Sequence, residues 1–178
     1  MIEIRDARQD EFDELGEVRV AAYLADGFLS PQSTYAARLR ALGADGLDHV
    51  LVAVERDQDH DSASDRSQRS PIVGTVMLQG WPQGGEILAG PDEAEIRALA
   101  VVPAARGTGL GRALLAAVIE RAAHVGIRRL VLLTQPDMKA AHHLYDTVGF
   151  TRLPERDWSP EPGVTLLAYG RTLDGRRR

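Results

Sequence analysis

Residues 93–115 read EAEIRALAVVPAARGTGLGRALL, and this segment carries the clearest structural signal in the sequence. Residues 95–102 are mostly apolar, as expected of a β-strand, and Pro103 ends the run. The turn at residues 106–111 contains three glycines, and the apolar residues after it recur at helical spacing. A strand, a glycine-rich turn and a helix in this order can bind a phosphate group, because free N–H groups and the helix dipole attract an anion at the helix N-terminus.

The pattern excludes two common nucleotide-binding motifs. A P-loop would end in Gly-Lys-Ser/Thr, and this turn has no such ending. A dinucleotide fingerprint starting at Gly107 would need a glycine where Arg112 stands, and a carboxylate about 20 residues further on, where residues 126–131 have none. A turn whose glycines serve only helix–strand packing stays as the alternative. If the turn does bind a phosphate, Arg106 and Arg112 can add charge-assisted hydrogen bonds.

The overall composition limits the class of protein. The chain has 178 residues, 44% of them hydrophobic and 26% charged, with a net charge of −5, which suits one globular domain and not a dedicated nucleic-acid binder. It has no cysteine, which excludes disulfides, thiolate zinc sites and a cysteine nucleophile. No apolar run is long enough to span a membrane, and residues 1–6 do not resemble a signal peptide, so we expect a cytoplasmic protein without membrane partners.

Hydrophobic periodicity along the rest of the chain predicts a mixture of strands and helices. The predicted strands are residues 2–5, 49–54, 72–78, 95–102, 129–134, 150–153 and 164–169, and the predicted helices are residues 12–27, 30–43, 109–125 and 137–148. The second helix is expected to begin at Ser30, as its N-cap. Strands and helices do not alternate strictly, so we expect one α/β or α+β domain over residues 1–178, with a mixed sheet.

Two polar segments are expected to lie outside this framework. Residues 57–70 are rich in Asp and Ser and predict a long solvated hairpin-loop insertion, and residues 174–178 predict a basic tail. A metal site in the first segment, with Asp57, Asp59, His60 and Asp61 as ligands, is the alternative, but the Gly and distal Glu of a calcium loop are missing. The sequence therefore predicts no metal.

Two motifs together resemble those of a known superfamily. The pattern Arg106-x-x-Gly109-x-Gly111, preceded by Leu99-Ala100-Val101, resembles the acetyl-CoA signature of the GNAT N-acetyltransferases. Residues 141–150, AHHLYDTVGF, resemble that superfamily's second motif, A-x-x-L-Y-x-x-x-G-F. The resemblance implies a mostly antiparallel mixed sheet flanked by helices, in which the signature strand carries a β-bulge and splays away from its parallel central neighbour.

The resemblance implies a site for acetyl-CoA. The backbone of Leu99, Ala100 and Val101 would bind its pantetheine arm, and the Val101 N–H would stabilise negative charge on the thioester oxygen. The pyrophosphate would be held by the turn that follows, formed by Arg106, Gly107, Thr108, Gly109, Leu110, Gly111 and Arg112. Met138 stands where many members have an Asn that contacts the CoA chain, so this contact is expected to be lost.

The resemblance also implies catalytic roles. Tyr145 stands at the position of the usual general acid, which protonates the departing CoA thiolate. Glu95 is the best candidate for the base that deprotonates the amine, directly or through water, with Glu93 as its competitor. The alternatives are that Tyr145 is an ordinary half-buried aromatic residue and that Glu95 simply pairs with Arg97 or another surface cation. A chain without cysteine predicts direct transfer, with no Cys acyl-enzyme.

The acceptor is not identified by the sequence. Aromatic residues of the first helices and of the turn before the signature strand are candidate contacts: Tyr23, Phe28, Tyr35 and Trp81. Asp26 and Glu86 could favour a cationic acceptor. Three hypotheses follow: a small-molecule amine acetyltransferase, a protein N-terminal or lysine acetyltransferase, and an acyl-CoA sensor without turnover. A closed pocket walled by Trp81 and Tyr35 would favour the first, and the chain could act as a monomer or a homodimer.

Overall fold

The computed structural model describes residues 1–30, 32–56, 70–82 and 87–173. The strands and helices in chain order are β1 (Ile2–Asp6), α1 (Phe12–Ala25), α2 (Tyr35–Ala41), β2 (His49–Glu55), β3 (Ile72–Gly80), β4 (Glu93–Val101), α3 (Leu110–His124), β5 (Arg129–Thr134), α4 (Lys139–Thr147), β6 (Thr151–Arg152), β7 (Trp158–Glu161) and β8 (Val164–Thr172). The mixture of strands and helices predicted from periodicity is therefore confirmed.

The strands form one mixed sheet. Their order is β1-β2-β3-β4-β5-β8-β6, and β7 pairs with β8 off this path. Among the described strand pairs, only β4 and β5 are parallel, and the other pairs are antiparallel. A mostly antiparallel sheet with one central parallel pair is the arrangement that the sequence motifs implied.

The parallel pair separates halfway along β4. Pairing with β5 extends from Glu93 to Ile96 and then stops, although β4 continues to Val101. Its register with β3 shifts in the same region, where Ala98 has a positive φ of 50°. This β-bulge also changes which face the following side chain occupies. Leu99 packs into the cluster that contains Ile96, so it does not continue the face of Glu95 as simple alternation predicts.

The two faces of the sheet are covered by different elements. Helix α3 covers one face and buries Leu114, Leu115 and Val118 against the strands. Gly74 on β3 permits this close approach, because a Cβ atom there would lie 2.9 Å from Leu114 Cδ1. On the other face, α1 packs over β2 and β3, and Ala98 joins a cluster formed with residues of α1 and α2. The diverging part of β4 therefore lies between helices.

Two features of the fold differ from what the sequence predicted, and two predicted segments lie outside the described residues. Helix α2 begins at Tyr35 and not at Ser30, because the Ser30 carbonyl accepts a hydrogen bond from Ser33 N–H in a turn. Strand β7 was not predicted, since it is short and contains a proline. The predicted insertion at 57–70 lies outside the described residues except for Ser70, and so does the tail at 174–178. None of the described helices is long and apolar enough to cross a membrane.

Candidate functional site

A large cleft opens where β4 and β5 separate. Its volume is about 1330 Å³, more than the ~300–1,000 Å³ of pockets that hold one small ligand. Its walls come from α1 and α2, from β4 with the glycine-rich turn, and from α4. Residues 163–166 of the β7–β8 hairpin line it as well.

The glycine-rich turn forms one end of the cleft. Gly107 and Gly109 have φ angles of 75° and 85°, which side chains other than glycine rarely adopt. Gly109 is the N-cap of α3, and a Cβ atom at either glycine would meet no atom within 4 Å. The first backbone N–H groups of a helix have no partner within it. The turn therefore fits an anionic phosphate group, with open space above exposed amides.

Arg106 does not point freely toward such a phosphate. Its guanidinium donates to Asp26 Oδ1 at 2.5 Å and to the carbonyl of Ala22 at 3.2 Å. Its Nε donates to the carbonyl of Val101 at 3.1 Å. The Arg106 side chain thus ties the turn to the C-terminal end of α1, and charge-assisted bonds from it to a ligand phosphate stay a prediction. Arg112 is exposed and lines the cleft.

The backbone of Val101 faces the side from which β5 has separated. Val102 N–H donates to the carbonyl of Val73 on β3 at 3.0 Å, so the Val101 carbonyl of the same peptide group points the opposite way. In a strand, the N–H and C=O of one residue point to the same side. The Val101 N–H therefore also points away from β3, toward the cleft that this residue lines.

Tyr145 lies on α4 at the wall of the cleft. It is 7% exposed, and its ring lies 6.1 Å from that of Phe150 and 5.9 Å from that of Tyr169. Burial and the nearby Tyr169 raise the pKa of the Tyr145 phenol to about 12. The residue is therefore both a core aromatic and a cleft residue, and its hydroxyl stays protonated at neutral pH.

Glu95 lies on β4 in the same cleft. It is 4% exposed, and its Oε1 atom is 3.8 Å from Arg97 Nε. Arg97 is held in turn by Gln79, whose Oε1 accepts a hydrogen bond from Arg97 Nη1 at 2.8 Å. Gln79 Nε2 donates to Asp48 Oδ2 at 2.9 Å. Glu95 thus pairs with Arg97 and also lines the cleft, and hydrogen bonds through Gln79 to Asp48 hold Arg97 in place.

Glu93, the competing carboxylate, has a different environment. It accepts hydrogen bonds from Arg156 Nη1 at 2.8 Å and from Ala89 N–H at 2.9 Å, and it does not line the cleft. Burial would raise its pKa, but the bonds from Arg156 and Ala89 outweigh burial, and the pKa of Glu93 is lowered. Glu93 anchors the segment before β4 to the turn that carries Arg156.

The predicted acceptor aromatics are only partly brought together. Tyr23, Phe28 and Tyr35 line the cleft on the α1–α2 wall, which we define as the part of the cleft formed by residues 22–38. Trp81 is 50% exposed and does not line the cleft, so the pocket walled by Trp81 and Tyr35 is not formed. Trp158 lines the cleft from β7, and sequence reasoning missed it because that strand was not predicted.

Asp26, Glu86 and Met138 are the remaining residues that the sequence analysis singled out near the site. Asp26 is bound to Arg106, so its charge is balanced and does not face an acceptor alone, and Glu86 lies outside the described residues. Met138 lines the cleft at the start of α4, where Thr134 Oγ1 lies 3.5 Å from its sulfur. Within the described part of the chain, no group of three or more His, Asp or Glu side chains could hold a metal ion.

Comparison with known proteins gives matches in sequence and in fold. A family model for the acetyltransferase (GNAT) family matches residues 9–150. A mycothiol acetyltransferase of Kocuria rhizophila is 42% identical over 103 residues, which cover 58% of this chain and 29% of that protein. The chain spans less than a third of the length of the curated relatives it matches.

Two solved structures illustrate the likeness in fold. A GNAT-family acetyltransferase of Staphylococcus aureus has a TM-score of 0.72 and 18% identity, over 98% of this chain and all of that one. A phosphinothricin acetyltransferase of Sinorhizobium meliloti, solved in complex with AcCoA, has a TM-score of 0.66 and 18% identity, over 97% of this chain and 88% of that one. At these identities the structures show a shared fold.

Proposed function

The chain belongs to the acetyltransferase (GNAT) family, and from that membership we propose that it moves an acetyl group directly from acetyl-CoA to a primary amine of a small molecule. One observation carries the proposal: the glycine-rich turn, the unpaired edge of β4, Tyr145 and Glu95 all meet in one cleft. Each group matches one requirement of amine acetylation.

The turn at residues 106–111 supplies the binding site for the pyrophosphate of acetyl-CoA. Backbone amides at the start of α3 donate hydrogen bonds to the phosphate oxygens, and the helix dipole favours their negative charge. Arg112 adds a positive charge at the exposed rim. The structure with AcCoA bound and the same fold supports this cosubstrate.

The exposed edge of β4 supports the reaction at the thioester. When an amine attacks the thioester carbon, negative charge develops on the carbonyl oxygen. The Val101 N–H, which points into the cleft, donates a hydrogen bond to that oxygen. A fixed backbone donor in a site shielded from water stabilises such charge, and loss of one donor of this type costs other enzymes about 10²–10³ in rate.

Tyr145 supplies a proton to the departing sulfur. Its raised pKa keeps the phenol protonated over the whole neutral range, so it acts as an acid and not as a base. The thiol of CoA has an ordinary thiol pKa of about 8.5, so the expelled thiolate accepts the proton readily. General-acid assistance of this kind contributes about 10²–10⁴ in rate.

Glu95 accepts the proton that the amine must lose, directly or through a water molecule. Its Oε1 atom lies 3.8 Å from Arg97 Nε, and the residue lines the cleft. Glu93 does not compete for this role, because its oxygens are occupied by Arg156 and Ala89. With no cysteine in the chain, transfer proceeds in one step between the two bound substrates.

A small-molecule acceptor is favoured over a protein acceptor. Tyr23 and Phe28 of the α1–α2 wall and Trp158 line the cleft, where they offer aromatic surfaces to a small acceptor. Relatives that match this chain in sequence are named mycothiol acetyltransferases, which supports a small acceptor.

An acceptor screen tests the proposal. The full chain is incubated with acetyl-CoA and a panel of small amines, free lysine and short peptides, and release of the CoA thiol is followed. We expect turnover with small amines and little with peptides. Preferential turnover with peptides would support a protein acetyltransferase, and binding of acetyl-CoA without turnover on any acceptor would support a sensor.

A further inference from the structure

Two arginines in or behind the α1–α2 wall have charges that no carboxylate among the described residues balances. Arg38 lies on α2 and lines the cleft. Arg19 lies on α1, behind the aromatic residues of the same wall. The other charged side chains of this side are paired, Asp26 with Arg106 and Glu95 with Arg97.

Arg38 is available for a ligand. Its side chain is exposed, and within the described ranges of the chain it makes no hydrogen bond or ion pair. Arg40, two residues further along α2, shows the contrast, because its guanidinium is bound to Glu17 at 2.6 Å and it does not line the cleft. Of these two arginines on one short helix, Arg40 forms an ion pair with Glu17, whereas Arg38, which lines the cleft, lacks a partner among the described residues.

Arg19 adds a buried positive charge behind the wall. It is 0% exposed, and its Nη1 donates to the carbonyl of Leu42 at 2.6 Å. Its Nε and Nη2 have no hydrogen-bond partner among the described residues. Burial lowers the pKa of Arg19 to about 10, with Tyr23 and Tyr35 as neighbours, so the guanidinium remains charged at neutral pH. A buried cation without a counter-ion is costly, and an anion brought into the adjacent cleft would compensate it.

These two charges make the α1–α2 wall positive, whereas Asp26 and Glu86 in the sequence suggested that a cationic acceptor could be favoured. A positive α1–α2 wall disfavours a polycationic acceptor such as a polyamine, and it attracts an anionic group by focusing within the cleft. The same field disfavours the protonated form of a bound amine, which assists its deprotonation before attack. Both effects suit an acceptor whose amine and anion lie on one molecule.

We propose that Arg38 binds an oxyanion of the acceptor, so that the acceptor is an amine that also bears a carboxylate or a phosphonate or phosphate group; this inference rests on the acetyltransferase function proposed above. The planar guanidinium presents two parallel N–H donors, which match the two oxygens of such a group. The amine of the same molecule then lies toward Glu95 and the thioester.

Matched pairs of amines test the proposal. The probes are L-phenylalanine, β-alanine and 2-aminoethylphosphonate. Each is compared with a form whose acid group is uncharged, which is the amide for the two amino acids and the diester for the phosphonate. The members of a pair are called charged or uncharged by the state of that acid group. The full chain is assayed for thiol release from acetyl-CoA with the variants Arg38→Ala, Arg38→Lys and, as the matched control on the same helix, Arg40→Ala.

We expect the charged member of a pair to be the better substrate, and Arg38→Ala to raise its KM about tenfold or more with little change in kcat, as loss of a charge-assisted bond predicts. Arg38→Lys should restore part of the loss, and Arg40→Ala should change nothing. Better turnover of the uncharged members, or equal KM values in Arg38→Ala, would overturn the inference while the proposed function stands.

Binding provides a readout that does not depend on turnover. The same pairs are titrated calorimetrically into the chain saturated with CoA. If no probe is acetylated but a charged probe binds the wild type and not Arg38→Ala, the anion site stands and the proposed catalysis fails. If the charged probes neither react nor bind better than their uncharged forms, the anion site is refuted.

Discussion

The glycine at the start of α3 gives the sharpest test of the cofactor site. Gly109 has a φ of 85°, and a Cβ atom there would meet no neighbour within 4 Å. Gly109→Ala therefore introduces backbone strain without a clash. A non-glycine residue in this conformation costs about 1–2 kcal/mol. For a chain of this size, that corresponds to a fall in Tm of about 2–8 °C.

Relief of this strain moves the backbone amides that would bind the pyrophosphate. If one charge-assisted hydrogen bond is lost, at about 1.5–3 kcal/mol, the Kd for acetyl-CoA rises about 10- to 150-fold. At a ligand concentration of 100 times the wild-type Kd, acetyl-CoA stabilises the wild type by about 2.7 kcal/mol. The same concentration stabilises the variant by about 1.4 kcal/mol or less.

Gly126 provides the matched control at the other end of α3. Its φ is 86°, and a Cβ atom there would also meet nothing within 4 Å. Gly126→Ala should lose the same stability as Gly109→Ala but keep the full stabilisation by acetyl-CoA. Thermal unfolding of the three proteins with and without acetyl-CoA measures both quantities. Equal stabilisation by acetyl-CoA in Gly109→Ala and Gly126→Ala would refute the assignment of the turn.

The two carboxylates of β4 and the helix–sheet contact give further predictions. Glu95→Gln should lower kcat strongly and leave Tm nearly unchanged, whereas Glu93→Gln should lower Tm and leave kcat nearly unchanged. Steady-state rates and thermal unfolding curves measure the two effects. The opposite pattern would exchange the roles of the two carboxylates. Because the pKa of Glu93 is lowered in the folded state, its contribution to the free energy of unfolding is present above its ordinary pKa of 4.5 and is lost as pH falls below that value. The stability difference between wild type and Glu93→Gln should therefore shrink when thermal unfolding is measured at acid pH. Gly74→Ala should destabilise the chain by about 1–3 kcal/mol, because its Cβ would lie 2.9 Å from Leu114 Cδ1; an unchanged denaturation midpoint would show that Leu114 can move aside.

Most of the fold was predictable because its signals are local. The strand at Arg129–Thr134 has the predicted bounds, and α3 starts and ends within one residue of prediction, since Gly109 and Gly126 mark its ends. Residues of both motifs line the same cleft. Tyr145 is brought to the same cleft by the second motif.

The rest depends on contacts between residues far apart in the sequence. The sequence indicates that Arg106 is a phosphate ligand, but in the fold α1 places Asp26 beside its guanidinium. Trp158, and not Trp81, lines the cleft because β7 pairs with β8, and no local sequence pattern predicted this pairing. The bulge at Ala98 moves Leu99 to the other face of β4, and alternation along the strand could not show where the register would shift.

Replacement of the Tyr145 hydroxyl tests whether this residue is the general acid of acetyl transfer. Tyr145→Phe is compared with Tyr169→Phe, a buried tyrosine whose ring lies 5.9 Å away and which does not line the cleft. Each protein is given isotopically labelled acetyl-CoA and an amine that the wild type acetylates. The rate at which labelled acetyl-amine forms per protein molecule is measured, together with the Kd for acetyl-CoA. We predict that Tyr145→Phe lowers kcat about 10²–10⁴-fold with an unchanged Kd, and that Tyr169→Phe keeps the wild-type kcat. Wild-type rates in Tyr145→Phe would contradict acid catalysis by this residue.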